Sequence, residues 1–278
     1  MILIADSGST KTAWRLINSS GTIQSIESVG LNPLFTSDDT FNDTISTLLA
    51  YNIVPEEVNK VFFYGAGITD HAQKSKLNSW LQSTFLNAHI HTDSDLLGAA
   101  RAAFKLKPGV VGILGTGSNS AYYDGIKLSK AIAPLGYILG DEGSGNAMGR
   151  KLVTLYIRNG LTKELNKGFE KFYPDYSKLL SNIYTSIQPA KLLASFMPFI
   201  VNNLDEPIIA NLVKAELESF INLLNFYEIG SDIVLVGSIA FVLQSQLQEV
   251  ADIQEIRIKK IIKSPIDDLV LYHQAEIL

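Results

Sequence analysis

The sequence predicts an α/β protein made of two similar domains. Its 278 residues are enough for two domains of ordinary size. Short apolar runs of strand length alternate with longer segments of helical periodicity, which is typical of α/β folds. A strand–turn–strand unit near the N-terminus occurs again in the middle of the chain, and such self-similarity favours two copies of one fold.

The first half contains the first copy of this unit and then alternates helices with strands. Strands are predicted at residues 2–5, 11–18, 22–29, 58–64 and 88–92. Helices are predicted at about residues 37–49, 70–85 and 96–104. The turn between the first two strands consists of small polar residues that follow Asp6.

The second half begins with the same pattern. An apolar strand at residues 110–114 is followed by a second small-residue turn and two further strands. A shift of 109 positions lays residues 7–10 over residues 116–119. The remainder is richer in helix and includes a long predicted helix at residues 208–227.

These patterns predict where the two domains divide. We expect an N-terminal domain of residues 1–107 and a C-terminal domain of residues 108–264 that includes a helical insertion. A final helix at about residues 265–278 is expected to pack back on the N-terminal domain.

Composition excludes several classes of function. The formal net charge is −5 and no basic stretch is long enough to follow a phosphate backbone, so nucleic-acid binding is not expected. No apolar run reaches the ~18 residues of a membrane helix, and the N-terminus does not resemble a signal peptide. We therefore expect a cytoplasmic protein without a membrane partner. Cysteine is absent, which excludes disulfides, thiolate nucleophiles and cysteine-held zinc or iron–sulfur centres.

The two small-residue turns could bind anionic oxygens. Backbone N–H groups in Gly-, Ser- and Thr-rich turns converge on an anion, and glycine permits its close approach. One such turn usually only connects strands, whereas two at equivalent positions of a repeat could hold one phosphate chain. The Walker pattern and the G-x-G-x-x-G fingerprint are both missing, which disfavours a P-loop or a Rossmann dinucleotide site.

Five motifs together resemble one known superfamily. They are DSGSTKT at residues 6–12, GTGSN at 115–119, GDEGSG at 140–145, VLVGSIA at 234–240 and SPIDDL at 264–269. In this order, over nearly the whole chain, they resemble the sugar kinase–Hsp70–actin superfamily. The nearest resemblance within it is to the N-acetylglucosamine kinase-like branch, the BadF/BadG/BcrA/BcrD ATPase group.

The resemblance implies two ribonuclease H-like domains of the actin-like ATPase type with ATP in a central cleft. Asp6 would help to hold Mg²⁺. The residues that would contact ATP lie in the two turns and the adenosine motif: Gly8, Ser9, Thr10, Lys11, Gly115, Thr116, Gly117, Gly237 and Ser238. The alternative for Asp6 is a side chain that only caps its turn.

A sugar kinase also needs a carboxylate that accepts the proton of the attacking hydroxyl. Asp93 and Asp95 are the candidates, both where a strand meets a helix. The family pattern places an Ala four positions and often an Arg six positions after the base, and Asp95 meets it with Ala99 and Arg101. The structural alternative is that Asp95 is the N-cap of the helix.

Sugar-binding residues are also implied by the resemblance. They are Asn119, Asp141, Glu142 and Asn32. The sequence departs from the animal enzymes at residues 33–35 and 133–136, where an aromatic clamp and a Gly-Gly-Trp-Gly-like stretch are expected, and this leaves the identity of the sugar open.

The sequence thus predicts an ATP-dependent kinase that phosphorylates the primary hydroxyl of an amino sugar by direct in-line transfer. N-acetylglucosamine is the first candidate, and glucosamine and N-acetylmuramate are alternatives. A non-catalytic sugar or nucleotide sensor of the same fold is a further alternative. Relatives that drive electrons into a dehydratase need cluster-ligating cysteines, so that activity is excluded. The resemblance is compatible with a homodimer.

Overall fold

The computed structural model describes residues 1–227, 230 and 232–274. Its strands are β1 (Ile2–Ser7), β2 (Lys11–Ile17), β3 (Ile23–Val29), β4 (Lys60–Gly65), β5 (His89–Ser94), β6 (Gly109–Leu114), β7 (Ser118–Tyr123), β8 (Leu128–Ala131), β9 (Ile233–Val236) and β10 (Ile258–Ile262).

Helices connect and cover these strands. They are α1 (Asp38–Ala50), α2 (His71–Thr84), α3 (Asp95–Phe104), α4 (Gly136–Leu139), α5 (Gly145–Ile157), α6 (Lys163–Phe172), α7 (Leu179–Thr185), α8 (Pro189–Ala194), α9 (Met197–Asn202), α10 (Pro207–Leu224), α11 (Ser238–Val242), α12 (Gln244–Ile253) and α13 (Ile266–Gln274). Residues 275–278 of the predicted final helix lie outside the described residues.

The ten strands form two five-stranded sheets of the same topology. The first has the order β3-β2-β1-β4-β5 and the second the order β10-β9-β6-β7-β8. Read from its other edge, the second order is β8-β7-β6-β9-β10, which is the first order with every strand number raised by five. The predicted α/β fold with a repeated unit is therefore confirmed.

In the first sheet the three strands that supply the candidate site residues are parallel. β4 pairs in parallel with both β1 and β5, while β2 pairs antiparallel with β1 and β3. The register places Asp6 opposite Tyr64, which in turn lies opposite Asp93. The carboxyl ends of β1, β4 and β5 therefore meet at one edge of the sheet, where α/β proteins commonly place their ligands.

Both faces of the first sheet are buried. Alternate residues of β1 point to opposite sides, so Leu3 belongs to a core with α1 and α2, whereas Ile4 belongs to a core with α3 and α13. Helix α3 packs closely because Gly98 faces β4, where an added Cβ would lie 2.7 Å from the Cβ of Tyr64. This close packing fixes the position of the first turn of α3.

The chain divides into two compact units. Unit 1 contains Met1–Val111, Tyr123–Ser129 and the C-terminal residues from Ser264 onward, and unit 2 contains Gly112–Tyr122 and Lys130–Lys263. Helix α13 packs against α3, β1 and β2 within unit 1.

Candidate active site

The turn between β1 and β2 in unit 1 presents free backbone donors. The N–H of Gly8 donates to the carbonyl of Lys11 at 3.0 Å and closes the turn. Within the described chain, the N–H groups of Ser9 and Thr10 donate to no protein group. Both residues reach the surface, so these donors are available to an anionic oxygen.

The segment that follows β3 forms hydrogen bonds with this turn and with the end of β1. The N–H of Gly30 donates to the carbonyl of Thr10 at 3.1 Å, and the N–H of Leu31 donates to Oγ of Ser7 at 2.9 Å. A Cβ at Gly30 would overlap the carbonyl oxygen of Gly8 and lie 2.8 Å from the carbonyl carbon of Ser9. Only glycine therefore fits at position 30 without displacing the turn.

Asp6 and Asp95 form a pair of interacting carboxylates in unit 1. Asp6 is near the carboxyl end of β1 and Asp95 is the first residue of α3. Burial and, second, the negative charge of Asp95 raise the pKa of Asp6 to about 7, while the cation of Lys11 opposes the rise. Burial also raises the pKa of Asp95 to about 6, against a hydrogen bond from the N–H of Leu96.

Asp95 is not the N-cap of α3. The N-cap is Ser94, whose Oγ accepts from the N–H of Leu97 at 3.2 Å. The alternative that Asp95 is the N-cap is therefore wrong, because the preceding serine satisfies that donor. Asp93 is in a different environment, since its Oδ2 lies 3.6 Å from Nζ of Lys74 and its side chain is 44% exposed.

Asn32 lies against the loop that follows β4. Its Oδ1 accepts from the N–H of Leu34 at 3.0 Å. Gly67 has a φ of +78°, and a Cβ at this position would overlap Oδ1 of Asn32. The N–H of Ala66 donates to the carbonyl of Ser7 at 2.8 Å, so the loop that contacts Asn32 is also fixed to the end of β1.

The side chain of Lys11 forms an ion pair with a residue of the neighbouring strand β3. Its Nζ donates to Oε1 of Glu27 at 2.9 Å, and both side chains are exposed. Its charge nevertheless acts on Asp6. Lys11 therefore lies near the turn but is paired with a carboxylate.

The turn between β6 and β7 in unit 2 also presents free backbone donors. The N–H of Gly115 donates to the carbonyl of Gly117 at 2.9 Å. The N–H groups of Thr116 and Gly117 have no protein acceptor among the residues that the structure describes. The strand boundaries equate Gly8 with Gly115, a spacing of 115 − 8 = 107 and not the 109 expected from the sequence, because β1 extends to Ser7 while β6 ends at Leu114.

Helix α5 begins directly on this second turn. The N–H of Gly145 donates to the carbonyl of Gly115 at 2.9 Å, and the N–H of Asn146 donates to that of Thr116 at 3.0 Å. Two donors of the first helical turn, which have no partner within a helix, are thereby satisfied. The N-cap is Ser144, whose Oγ accepts from the N–H of Ala147 at 3.3 Å.

Gly237 and Ser238 follow β9 and lie close to the end of β6. Gly237 has a φ of +125°, and a Cβ there would overlap the carbonyl oxygen of Leu114. Its N–H donates to the carbonyl of Ile262 at 2.8 Å. The structure thus places the predicted adenosine motif beside the start of the second turn.

Three of the predicted sugar-binding residues line one pocket in unit 2. Asn119, Asp141 and Glu142 form its polar side together with Ser118 and Ser120. Its apolar side is formed by Ile132, Ala133, Pro134, Leu135, Phe220 and Leu223. Burial raises the pKa of Asp141, while hydrogen bonds from the amide of Asn146 and the N–H of Ser118 oppose the rise.

Comparison with known proteins identifies the family. No family model matches the chain, and no curated protein matches it. A solved structure of a proposed N-acetylglucosamine kinase from Porphyromonas gingivalis is 32% identical over 100% of both chains, with a TM-score of 0.93. The chain belongs to the N-acetylglucosamine kinase-like family of actin-like ATPases. The resemblance inferred from the five motifs is confirmed.

Two more distant structures share the fold of this N-acetylglucosamine kinase-like chain. A proposed N-acetylglucosamine kinase from Chromobacterium violaceum is 17% identical over 98% of both chains, with a TM-score of 0.80. A ROK family glucokinase from Streptomyces griseus, solved with glucose and AMPPNP, is 14% identical over 99% of this chain and 98% of its own, with a TM-score of 0.58.

Several residues of this family member were missed by the sequence analysis. Gly30 and Gly67 are required by close contacts with Gly8 and Asn32, which lie far from them along the chain. Asn146 follows the GDEGSG motif directly, and this position beside the motif was the signal that the sequence offered.

No helix among the described residues is both long and apolar enough to cross a membrane. No cluster of three or more His, Cys, Asp or Glu side chains suited to a metal ion occurs among them either. A divalent cation at Asp6 would thus need further oxygen ligands from water or from phosphate groups.

Proposed function

We propose that this protein is an ATP-dependent kinase that phosphorylates the primary hydroxyl of an amino sugar, with N-acetylglucosamine as the first candidate. Its family membership makes it a sugar kinase. The observation on which the proposal rests is the carboxylate of Asp95, which is free of the capping role and has a pKa of about 6. A general base with a pKa near the working pH is well suited to accept a hydroxyl proton.

The proposed reaction is direct in-line transfer. Asp95 accepts the proton of the sugar hydroxyl as the oxygen attacks the γ-phosphorus, and the bond from that phosphorus to the β–γ bridging oxygen of ATP breaks. The free N–H groups of Ser9, Thr10, Thr116 and Gly117 bind phosphate oxygens. Gly237 and Ser238 contact the adenosine.

Asp6 is the proposed ligand of Mg²⁺. Asp6 fits a cation, because burial and the negative charge of Asp95 both raise its pKa and a cation would offset both effects. When bound with ATP, Mg²⁺ neutralises charge that develops on the phosphate oxygens. Lys11 adds positive charge near Asp6.

Asn119, Asp141 and Glu142 are the proposed sugar-binding residues of unit 2. Carboxylate and amide oxygens accept hydrogen bonds from sugar hydroxyls, and the three side chains share one pocket. Asn32 is the proposed contact in unit 1.

The test is ADP release with ATP, Mg²⁺ and a panel of N-acetylglucosamine, glucosamine, N-acetylmuramate, N-acetylmannosamine and glucose. We expect ADP release that depends on an amino sugar, with the phosphate on the primary hydroxyl by NMR. Turnover with glucose alone would contradict the amino-sugar proposal. Binding of ATP and sugar without turnover of any sugar would favour the sensor.

The support of the first turn gives a prediction about nucleotide binding. Gly30→Ala adds a Cβ that overlaps the carbonyl oxygen of Gly8, so the turn must shift. We expect AMPPNP affinity, measured by calorimetry, to fall at least about tenfold, with a loss of about 1–3 kcal/mol in the free energy of unfolding.

Gly168→Ala is the matched control for this substitution. It also adds one methyl group, but it lies in α6, where the nearest side-chain atom would be 3.5 Å away. It should leave AMPPNP affinity unchanged. A folded Gly30→Ala protein with wild-type affinity would show that this turn does not bind nucleotide.

A further inference from the structure

We propose that Asn146 is a positioning residue that connects the sugar-binding carboxylate of Asp141 to the second phosphate turn, so that sugar and nucleotide bind cooperatively. This inference rests on the proposed function. It concerns contacts that lie entirely within unit 2.

One amide group makes both connections. Nδ2 of Asn146 donates to Oδ2 of Asp141 at 2.7 Å and to the carbonyl oxygen of Thr116 at 2.7 Å. The two hydrogens of the amide thus go to one group of the sugar pocket and one group of the phosphate turn. The backbone N–H of Asn146 donates to the same carbonyl of Thr116 at 3.0 Å, which fixes the residue on the turn.

The orientation of this amide is determined by its surroundings. The reverse orientation would place Oδ1 against the carboxylate oxygen of Asp141 and the carbonyl oxygen of Thr116, and both are acceptors. Oδ1 itself is buried and has no hydrogen-bond partner among the described residues. The described residues therefore hold this amide through its two hydrogens alone.

The contacts around Asp141 couple the movement of its carboxylate to that of the second phosphate turn. Asp141 has a φ of +61°, and its Oδ1 accepts from the N–H of Ser118 at 3.3 Å. A Cβ at Gly117 would lie only 2.9 Å from Oδ2 of Asp141. The carboxylate and the turn are thus in direct contact, and Asn146 is 0% exposed, so water cannot readily replace its amide.

Cooperative binding follows from this geometry. A sugar hydroxyl that binds Asp141 restricts the carboxylate, and the shared amide then restricts the carbonyl of Thr116. The free N–H of Gly117, which belongs to the same peptide group as that carbonyl, is then ordered before the nucleotide binds. This reduces the entropic cost of nucleotide binding. Because binding free energies are linked, the nucleotide must strengthen sugar binding by the same factor.

The experiment measures this factor directly. Calorimetric titration with AMPPNP and Mg²⁺ gives the Kd with and without a saturating concentration of the sugar that the wild-type enzyme phosphorylates best. In the wild type we expect sugar to tighten AMPPNP binding by about 5–150-fold. In Asn146→Ala we expect the two Kd values to converge. In Asn146→Asp, which places a carboxylate against Asp141, we expect convergence and weaker sugar binding.

Asn203→Ala is the matched control. Nδ2 of Asn203 also donates to a backbone carbonyl, that of Phe199, at 2.7 Å, but none of the proposed ligand-binding residues is involved. This variant should lose stability and retain the coupling factor. Asn146→Ser, which removes less volume, provides the same measurement if Asn146→Ala does not fold.

The outcomes separate the two proposals. A wild type that phosphorylates sugar but shows no coupling, or a folded Asn146 variant that keeps the wild-type factor, would overturn the role of Asn146 alone. A wild type that phosphorylates no sugar would overturn the proposed function and this inference with it.

Discussion

Asp95→Asn is expected to reduce kcat by about 10²–10⁴-fold, the usual contribution of a general base, and to leave the Kd for AMPPNP unchanged. The amide has the shape of the carboxylate and its oxygen can still accept from the N–H of Leu96, so the first turn of α3 is preserved. Helix capping is also retained, because Ser94 is the N-cap. What is lost is the ability to accept a proton from the sugar hydroxyl.

Asp93→Asn is the matched control, since the same change is made two residues earlier in the chain. Asp93 is partly exposed and lies 3.6 Å from Lys74, and an exposed ion pair of this kind contributes at most about 1 kcal/mol. We expect its kcat to stay within a few-fold of the wild type. If Asp93→Asn were the inactive variant and Asp95→Asn the active one, the base would be reassigned to Asp93.

The pH profile gives a second measurement of the same assignment. Asp95 must be ionised to accept a proton, and its pKa is raised to about 6 by burial. In the free enzyme, kcat/KM should therefore fall as the pH decreases through the range from about 7 to about 6, because Asp6, whose pKa is about 7, must also be ionised to hold Mg²⁺. Asp95→Asn should lose the limb near 6 and keep the limb that comes from Asp6.

The fold could be predicted because the sequence patterns that indicate it lie within short segments of the chain. Alternation of short apolar strands with amphipathic helices is visible within windows of ten residues, and the two strand–turn–strand units are visible as a repeat. The short helices α6 and α7 were not predicted; α6 buries only Leu165 and Phe169, and α7 buries only Leu179.

The contacts around the site could not be predicted in the same way. Gly30 lies 22 residues (30 − 8) after Gly8, whose carbonyl oxygen a Cβ at position 30 would overlap. Nothing in the sequence around Gly30 indicates that contact. The sequence favoured a spacing of 109 between the two turns because that shift matches Gly8 with Gly117 and Ser9 with Ser118, whereas the strand boundaries give 107. Ser94 and Asp95 are both good N-caps, and only the backbone decides between them.

Asp6→Asn is expected to abolish phosphoryl transfer and at the same time to stabilise the unliganded protein above pH 7. In the folded state the pKa of Asp6 is raised from 3.8 to about 7. Between these values the folded protein binds a proton that the unfolded chain releases, so the free energy of unfolding falls as the pH rises through this window. At pH 8 the full cost is present, on the order of 2–4 kcal/mol, and the neutral Asn avoids it.

Thermal unfolding in EDTA between pH 4 and pH 8 tests this prediction. Wild type and Asp6→Asn should have similar midpoints near pH 4, and the variant should be more stable by several degrees at pH 8. A midpoint difference that does not change with pH would show that Asp6 is not a desolvated carboxylate.

The proposed role of Asp6 predicts the opposite effect when ligand is present. Mg²⁺ with AMPPNP should stabilise the wild type at pH 8, because the cation removes the repulsion between Asp6 and Asp95 and binds only the folded state. The same addition should stabilise Asp6→Asn much less. Burial and the charge of Asp95 thus lower the stability of the unliganded protein, and Asp6→Asn relieves this cost while it removes the proposed ligand of Mg²⁺.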